Sequence, residues 1–296
     1  PALMFRIALA APARKVSPDE MKPAISMLQQ WGMEVFVPHG LYAEHHQMAG
    51  TDSHRAALLQ SLLDDDSLDA ILCCRGGYGT VRIIDRLNFA RFARHPKRIV
   101  GYSDITVLHS HIHRTLSLPT LHATMPINMD GSPPPATDTL RQALLGESLH
   151  YTFSPHPFNR QGRCTAPIVG GNLSILYSLL GSPSDIDTRG KILLIEDLDE
   201  YLYHIDRMLQ ALRRAGKLDG LQGLIVGALS DMHDNSIPFG LTAEEIVREA
   251  VEDYDFPVVF QAHFGHIGAQ NRALPLGVPA TLSVDSMGVA TLEIPH

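Results

Sequence analysis

The 296-residue sequence contains few cysteines and no long apolar run. There are three cysteines, of which Cys73 and Cys74 are neighbours inside an apolar stretch, while Cys164 lies far away. An odd count with this spacing indicates reduced thiols and not a disulfide framework. No stretch approaches the roughly 18 apolar residues that a membrane span needs, and the N-terminus lacks the plan of a secretory signal. We therefore expect a soluble protein of the cytoplasm that has no membrane partner.

The sequence also lacks an excess of basic residues and any long polar tract of low complexity. Its net charge is −8 at pH 7, whereas a nucleic-acid-binding protein normally presents a basic face, so we expect no nucleic-acid partner. Hydrophobic residues make up 45% and charged residues 19%, which is typical of a folded globular protein. A chain of 296 residues predicts one large domain or two ordinary ones.

Short apolar runs alternate with amphipathic stretches along the first 125 residues. The runs "FRIALAAP", "EVFVP", "DAILCC" and "RIVGY" predict buried strands. Apolar residues at helical spacing predict helices over 21–31, over 52–63 and after Ser103. This alternation predicts a parallel sheet covered on both faces, with ligands gathering at the carboxyl ends of its strands.

The alternation breaks after Met125, where the segment "MDGSPPPATD" is rich in proline. Downstream, "GGNLSILYSLLG" predicts a glycine turn and a helix, "KILLIEDLDE", "GLIVGALS" and "PVVFQAHFGH" predict strands, and "ATLSVDSMGVATLEI" predicts a hairpin. We therefore predict an N-terminal α/β domain over 1–127, a connecting segment over 128–165 and a C-terminal domain over 166–296.

Ser103, in "VGYSDIT", falls at the turn between a predicted strand and a predicted helix. A hydroxyl there can cap the helix, but it can also be a nucleophile presented at the edge of a sheet. A nucleophilic serine needs a base, usually a histidine that a carboxylate holds. Glu196 ends the run "ILLIE" and His266 follows "PVVFQAHFG", so each lies at the end of a predicted strand. Alone, each of these residues has an ordinary structural explanation, but together they suggest a catalytic triad.

The glycine-rich segment "RGGYG" (75–79) offers the other part that acyl transfer requires. The oxyanion formed during attack is held most simply by backbone amides, and glycines let a backbone approach closely. Our candidates are the amides of Gly77 and Asp104, the latter at a helix N-terminus. A glycine cluster alone is a weak signal, since it would also suit a tight turn.

Five segments together resemble the LD-carboxypeptidase family of serine peptidases, whose relatives include the microcin C immunity protein. In chain order they are "RGGYG", "GYSDIT", "GGNLSIL", "LLIEDLDEYLYHIDRML" and "FGHIGAQNRALPLG". The resemblance implies a Ser-Glu-His triad that falls on Ser103, Glu196 and His266, with no cofactor. It also implies an N-terminal parallel-sheet α/β domain (flavodoxin-like or amidotransferase-like), a C-terminal mixed α/β domain, an active site in the cleft between them, and a homodimer.

The resemblance further implies a carboxypeptidase that removes the terminal D-alanine of murein tetrapeptide during cytoplasmic recycling of the cell wall. Relatives often have serine where this chain has Ala13, in a loop expected near the cleft. An exopeptidase must also bind the free carboxylate of the leaving residue, and arginine suits that task because its planar fork matches a carboxylate. Arg75 and Arg272 are the candidates, each with the alternative of an internal ion pair, and Gly76 and Tyr78 are the further candidates for substrate contact.

Sixteen histidines raise the alternative of a metallohydrolase. His109, His111 and His113 in "HSHIH" would share one face on a strand, but on the predicted helix alternate side chains diverge and cannot share an ion. We therefore predict no metal site. Two further alternatives remain: a hydrolase of peptidyl or aminoacyl nucleotides, as in the microcin immunity branch, and a non-catalytic peptide-binding relative.

Overall fold

The computed structural model of the chain describes residues 3–130 and 134–295. The ends of the predicted domains at residues 1–2 and 296, and residues 131–133 of the predicted connecting segment, lie outside this range. The eight helices of the described ranges are α1 (Pro18–Gln30), α2 (Asp52–Leu63), α3 (Ala90–Arg94), α4 (Thr106–Leu116), α5 (Ala136–Leu144), α6 (Leu173–Ser178), α7 (Leu202–Arg214) and α8 (Ala243–Ala250). No helix within these ranges is long and apolar enough to cross a membrane.

The strands form two sheets, one built mainly from each half of the chain. In spatial order the first sheet consists of β11 (Leu274–Leu276), β5 (Thr120–His122), β4 (Arg98–Gly101), β3 (Ala70–Cys73), β1 (Arg6–Ala10) and β2 (Glu34–Phe36). The second sheet consists of β10 (Val258–Val259), β9 (Gly223–Ser230), β8 (Ile192–Leu198), β7 (Gly162–Asn172), β12 (Pro279–Val284), β13 (Ala290–Ile294) and β6 (Leu149–Phe153). This two-domain α/β fold confirms the predicted fold class.

The first sheet is parallel except for β11, which runs antiparallel to β5. Successive residues of a strand point to opposite sides of the sheet, and apart from the edge strand β2 the strands are largely buried because helices cover both faces. Ile71 and Cys73 pack with α2 and α4 on one face, whereas Ala70 and Leu72 pack with α1 and α5 on the other. Because β1, β3 and β4 are parallel, their carboxyl ends lie along one edge of the sheet, and each is followed by a loop.

The second sheet is parallel from β7 to β10 and antiparallel from β7 to β6. Leu193 and Ile195 of β8 face a core that α7 and α8 cover, while Ile192 and Leu194 face a core shared with β6, β12 and β13. The hairpin at the C-terminus is as predicted, with Thr281 paired to Glu293.

Several elements differ from the sequence predictions. The glycines of "GGNLSIL" end β7 and form no separate turn, and "PVVFQAHFGH" contains only the two-residue strand β10. The segment 134–165 holds α5, β6 and the start of β7, although its sequence pattern is irregular. β11 returns from the second half of the chain to the first sheet, which periodicity in a single segment cannot reveal. The proposed domain bounds at 127 and 166 remain a prediction.

Gly170 of β7 is paired with Leu194 of β8. A Cβ atom at this position would lie 2.1 Å from the carbonyl oxygen of Leu194, and its φ of +125° is one that other residues rarely adopt. The next residue, Gly171, lies against Thr106 at the start of α4, whose hydroxyl accepts a hydrogen bond from the Asn172 amide. Because this contact joins β7 of the second domain to α4 of the first, glycine at 171 sets how closely the two domains approach.

We predict that Gly170→Ala destabilises the protein by about 3 kcal/mol or more, because the methyl group overlaps backbone that cannot move freely. Gly181→Ala is the matched control: its φ is +81°, but no atom of residues 3–130 and 134–295 lies within 4 Å of an added Cβ. The control should cost about 1 kcal/mol, from backbone strain alone. Urea unfolding followed by circular dichroism measures both values, and equal losses would contradict the packing explanation.

Candidate active site

Ser103 lies at a sharp turn between β4 and α4. The residues 103–105 form a single 3-10 turn that continues into α4, and Ser103 itself has a φ of +64°. This left-handed conformation costs a non-glycine residue about 1–3 kcal/mol, and such strain is concentrated at functional sites. The preceding Gly101 allows the turn because Ile105 packs directly against its Cα. The turn presents the Ser103 hydroxyl at the carboxyl edge of the first sheet.

His266 and Glu196 approach Ser103 from the second domain. The Ser103 Oγ lies 3.1 Å from His266 Nε2, and His266 Nδ1 lies 2.7 Å from Glu196 Oε2. Glu196 is fully buried near the end of β8, and the His266 side chain is 15% exposed. The structure thus brings together the three residues, from segments 93 and 70 positions apart, that the sequence suggested as a triad.

Glycine positions make the contact between His266 and Glu196 possible. A Cβ at Gly265 would lie 2.8 Å from Glu196 Oε2, and the backbone there has a φ of +117°. The Gly265 amide donates to Asn271 Oδ1 at 2.9 Å, and Ser230 Oγ donates to the His266 carbonyl at 3.0 Å. These bonds fix the loop after β10, so the imidazole is held before any ligand binds.

The environment of His266 favours its protonated form. Burial lowers the pKa of the imidazole, but the hydrogen bond with Glu196, the charge of Glu196 and the charge of Asp197 outweigh burial, so the net pKa is raised above 6.5. Burial, reinforced by Glu196, raises the pKa of Asp197 to about 7. Burial likewise raises the pKa of Tyr102, whose ring centroid lies 4.9 Å from that of His266, to about 12. Tyr102 therefore stays neutral beside the histidine.

The glycine-rich loop 75–79 lies directly over the serine. A Cβ at Gly76 would lie 3.0 Å from Ser103 Cβ and 3.3 Å from the Asp104 amide nitrogen, so only glycine fits there without displacement. The buried Asp104 carboxylate accepts a hydrogen bond from the Thr80 amide at 3.0 Å, which ties the loop to the turn that carries Ser103. Gly77, with a φ of +99°, follows Gly76 and also lines the cleft.

A buried arginine donates hydrogen bonds to the backbone of the same loop. Arg55, on α2, is 1% exposed and donates to the carbonyl oxygens of Pro12 at 2.9 Å and Gly79 at 3.1 Å. Its charge is balanced by Asp52. Arg55 thus connects the loop after β1 with the loop after β3.

A cleft of about 560 Å³ opens above Ser103 between the two domains. Its lining includes several polar residues that sequence reasoning did not select: Arg14, Asn128, Asn172, Asp197, Asp199 and Glu200. Asn172 caps α6 and its amide nitrogen lies 3.4 Å from Glu196 Oε1 and 3.2 Å from Asp197 Oδ1. The motif "GGNLS" marked this position, but only the fold shows that it meets the acids of β8.

The predicted substrate contacts divide into two groups. Arg75 and Gly76 line the cleft, and an Arg75 Nη1 lies 3.5 Å from the Lys15 carbonyl oxygen. Tyr78 is 46% exposed and faces a neighbouring pocket with Arg82. Arg272 is not among the residues that line the cleft, and its guanidinium donates to Gln270. The geometry therefore gives no support to Tyr78 or Arg272 as a substrate contact.

The histidines of α4 point to three separate partners, as the predicted helix requires. His109 Nε2 lies 2.8 Å from the Gly101 carbonyl, His111 Nδ1 lies 2.8 Å from Ser184 Oγ, and His113 Nε2 lies 3.2 Å from Thr120 Oγ1. Across residues 3–130 and 134–295 no group of three or more His, Cys, Asp or Glu side chains could hold a metal ion.

Comparisons with known proteins place the site in a family context. A family model described as the LD-carboxypeptidase N-terminal domain matches residues 7–123, and one described as the LD-carboxypeptidase C-terminal domain matches residues 165–282. A probable murein peptide carboxypeptidase of Bacillus subtilis is 35% identical over 94% of this chain and 88% of its own length.

Two solved structures share the fold over nearly the whole chain. The muramoyltetrapeptide carboxypeptidase from Oxalobacter formigenes superposes with a TM-score of 0.89 at 25% identity, covering 99% of both chains. The microcin C7 self immunity protein MccF in complex with aspartyl sulfamoyl adenosine gives a TM-score of 0.84 at 20% identity, covering 100% of this chain and 97% of its own. The second likeness concerns the fold alone.

We predict that Glu196→Gln lowers the pKa of His266. The carboxylate raises that pKa against the effect of burial, so a neutral amide, which leaves only the charge of Asp197 to oppose burial, should lower the pKa. NMR titration of the imidazole resonances measures the shift. Glu293→Gln changes an exposed side chain of β13 that is not among the residues lining the cleft, so this control should leave the pKa unchanged. An unaltered His266 pKa in Glu196→Gln would contradict the assigned contact.

Proposed function

The chain belongs to the LD-carboxypeptidase family, and we propose that it hydrolyses the L-D peptide bond before the terminal D-alanine of murein tetrapeptide, with Ser103, Glu196 and His266 as a catalytic triad. The observation that carries the proposal is the pair of hydrogen bonds from Ser103 Oγ through His266 to Glu196. A serine, an imidazole and a buried carboxylate in this order are the parts that acyl transfer needs.

In the proposed mechanism, Ser103 Oγ attacks the carbonyl carbon of the diamino acid while His266 Nε2 accepts the hydroxyl proton. Glu196, which lies against Nδ1, orients the ring and stabilises the imidazolium. The amides of Gly77 and Asp104 hold the oxyanion of the tetrahedral intermediate. The C–N bond then breaks, and His266 donates its proton to the amine of the leaving D-alanine.

The second half of the reaction reverses these roles. A water molecule gives a proton to His266 and attacks the acyl-enzyme ester, and the serine leaves with the proton returned by the imidazole. The strained backbone of Ser103 supports this reading, because a left-handed turn exposes the hydroxyl to attack from the cleft and places the Asp104 amide beside it. The mechanism uses neither a metal ion nor a cofactor.

The proposed biological setting is the recycling of murein peptides in the cytoplasm by a homodimer. The names of the relatives, which are murein peptide and muramoyltetrapeptide carboxypeptidases, support a murein peptide substrate. The recycling role, the compartment and the dimer are proposed from the family resemblance. Sedimentation velocity of the purified protein tests the dimer, since a single species of 32.5 kDa would contradict it.

Hydrolysis of a peptidyl or aminoacyl nucleotide is the second candidate, because the fold is shared with the microcin immunity protein. The carboxypeptidase is favoured because the probable murein peptide carboxypeptidase of Bacillus subtilis is 35% identical to this chain, whereas the immunity protein is 20% identical. We therefore predict turnover of murein tetrapeptide at least about 100-fold faster than turnover of a processed microcin analogue, measured as kcat/KM on the same enzyme preparation. The opposite preference would overturn the carboxypeptidase proposal.

We predict that Ser103→Ala lowers kcat at least about 1000-fold and leaves the affinity for the tetrapeptide within a few-fold of wild type. The nucleophile contributes to the transition state, whereas the rest of the cleft still binds the substrate. Steady-state kinetics measures the first effect, and isothermal titration calorimetry on the variant measures the second. Ser178→Ala, an exposed serine of α6 that is not among the residues lining the cleft, is the control and should retain most activity. Substantial activity in Ser103→Ala would exclude it as the nucleophile.

A further inference from the structure

Arg14 occupies a position in the cleft that neither the triad nor the oxyanion site explains. It follows β1 by four residues, is exposed, and lies in the loop that Arg55 ties to the glycine-rich loop. Its backbone amide lies 3.4 Å from the Gly76 carbonyl, so the two loops contact each other at this residue. Within the parts of the chain that the structure describes, the Arg14 guanidinium forms no hydrogen bond or ion pair.

The aliphatic part of Arg14 lies directly against Gly77. A Cβ at Gly77 would lie 1.9 Å from Arg14 Cδ and 2.4 Å from its Cγ, so the arginine covers the space that any side chain at 77 would fill. The adjoining Gly76 contacts Ser103. Only the loop that contains Gly76 and Gly77 therefore lies between Arg14 and Ser103.

This spacing matches a specific part of the proposed substrate. In a carboxypeptidase substrate the terminal carboxylate is one residue beyond the bond that is cut, and consecutive Cα atoms are about 3.8 Å apart. A cation that binds this carboxylate must therefore lie within about one residue of the oxyanion site. Arg14 meets the condition, and its unpaired planar fork can accept a carboxylate with two parallel hydrogen bonds.

Basic and acidic residues line opposite walls of the cleft, which favours one orientation of the substrate. Arg14 and Arg75 lie on the wall formed by the first domain, whereas Asp197, Asp199 and Glu200 lie on the wall formed by the second. A terminal carboxylate on the acidic wall would face like charges, at a cost that grows as water is excluded. Arg75 is a weaker candidate for binding the terminal carboxylate, because its guanidinium already lies 3.5 Å from the Lys15 carbonyl oxygen.

We propose that Arg14 is the specificity-determining residue that binds the free α-carboxylate of the residue released by the reaction. The inference rests on the carboxypeptidase activity proposed above. It names the group that restricts cleavage to the C-terminal residue of the peptide substrate. It also gives a reason for glycine at position 77 beyond any use of its amide, since a side chain there would displace Arg14.

The test compares two peptides on four proteins. The peptides are L-Ala-γ-D-Glu-L-Lys-D-Ala with a free C-terminal carboxylate and the same peptide with a C-terminal amide. The proteins are wild type, Arg14→Gln, Arg14→Lys and the matched control Arg272→Gln, whose arginine is not among the residues lining the cleft. Since Arg14 is exposed, its variants should keep the wild-type unfolding temperature, which differential scanning fluorimetry checks.

We predict that Arg14→Gln lowers kcat/KM for the acid about 10- to 100-fold and leaves kcat/KM for the amide nearly unchanged, so that the preference for a free carboxylate disappears. Arg14→Lys should keep part of the preference for a free carboxylate, because lysine retains the positive charge. The preference should be smaller than in wild type, because lysine lacks the planar guanidinium. Arg272→Gln should match wild type. A binding readout follows from Ser103→Ala, in which adding Arg14→Gln should remove the difference in Kd between the two peptides.

Two outcomes would overturn the inference, and they are distinguishable. If wild type cleaves the acid and Arg14→Gln keeps the full preference for it, Arg14 does not read the carboxylate; loss of the preference in Arg75→Gln alone would assign that role to Arg75. If wild type cleaves neither this acid nor its meso-diaminopimelate counterpart, the proposed function itself is wrong, and the assignment of Arg14 falls with it.

Discussion

The hydrogen bond between His266 and Ser103 is the interaction on which the rest of the site depends, because it joins the two domains. Ser103 is fixed by the end of the first sheet, and His266 is fixed through Glu196 to the second. Neither half of the chain holds all three residues of the proposed triad. Gly171 lets β7 approach the start of α4, so a small residue at this contact sets the distance between the domains that carry the residues of the proposed triad.

Much of the fold could be predicted from the sequence, because the spacing of apolar residues within each segment indicates a helix or a strand. The helix over 52–63 and the strand-turn-helix around Ser103 are predicted from local spacing, and the structure contains them as α2, β4 and α4. The strand β11 could not be predicted in this way, because its partner β5 lies about 150 residues earlier in the chain. The helix α5 was missed because proline and polar residues precede it.

The candidate site was accessible from the sequence only in part. Ser103, Glu196 and His266 could be suggested because each ends an apolar run, and the family resemblance linked them. Arg14 and Glu200 lie in segments that the sequence placed near the site, but neither residue type points to a role there, since a charged residue in a loop is usually only solvated. Their significance comes from the cleft, where a basic wall faces an acidic wall across the serine. Arg272 was selected for its closeness to a motif in sequence, but the loop directs its side chain to Gln270.

The central claim is that the acyl group of the substrate is transferred to Ser103. Rapid acid quench of the enzyme during turnover of the tetrapeptide, followed by proteolysis and mass spectrometry, tests this claim most directly. The account predicts a tripeptide joined as an ester to the fragment that contains Ser103, and no such adduct in His266→Ala. A tripeptide adduct on any other residue would contradict it.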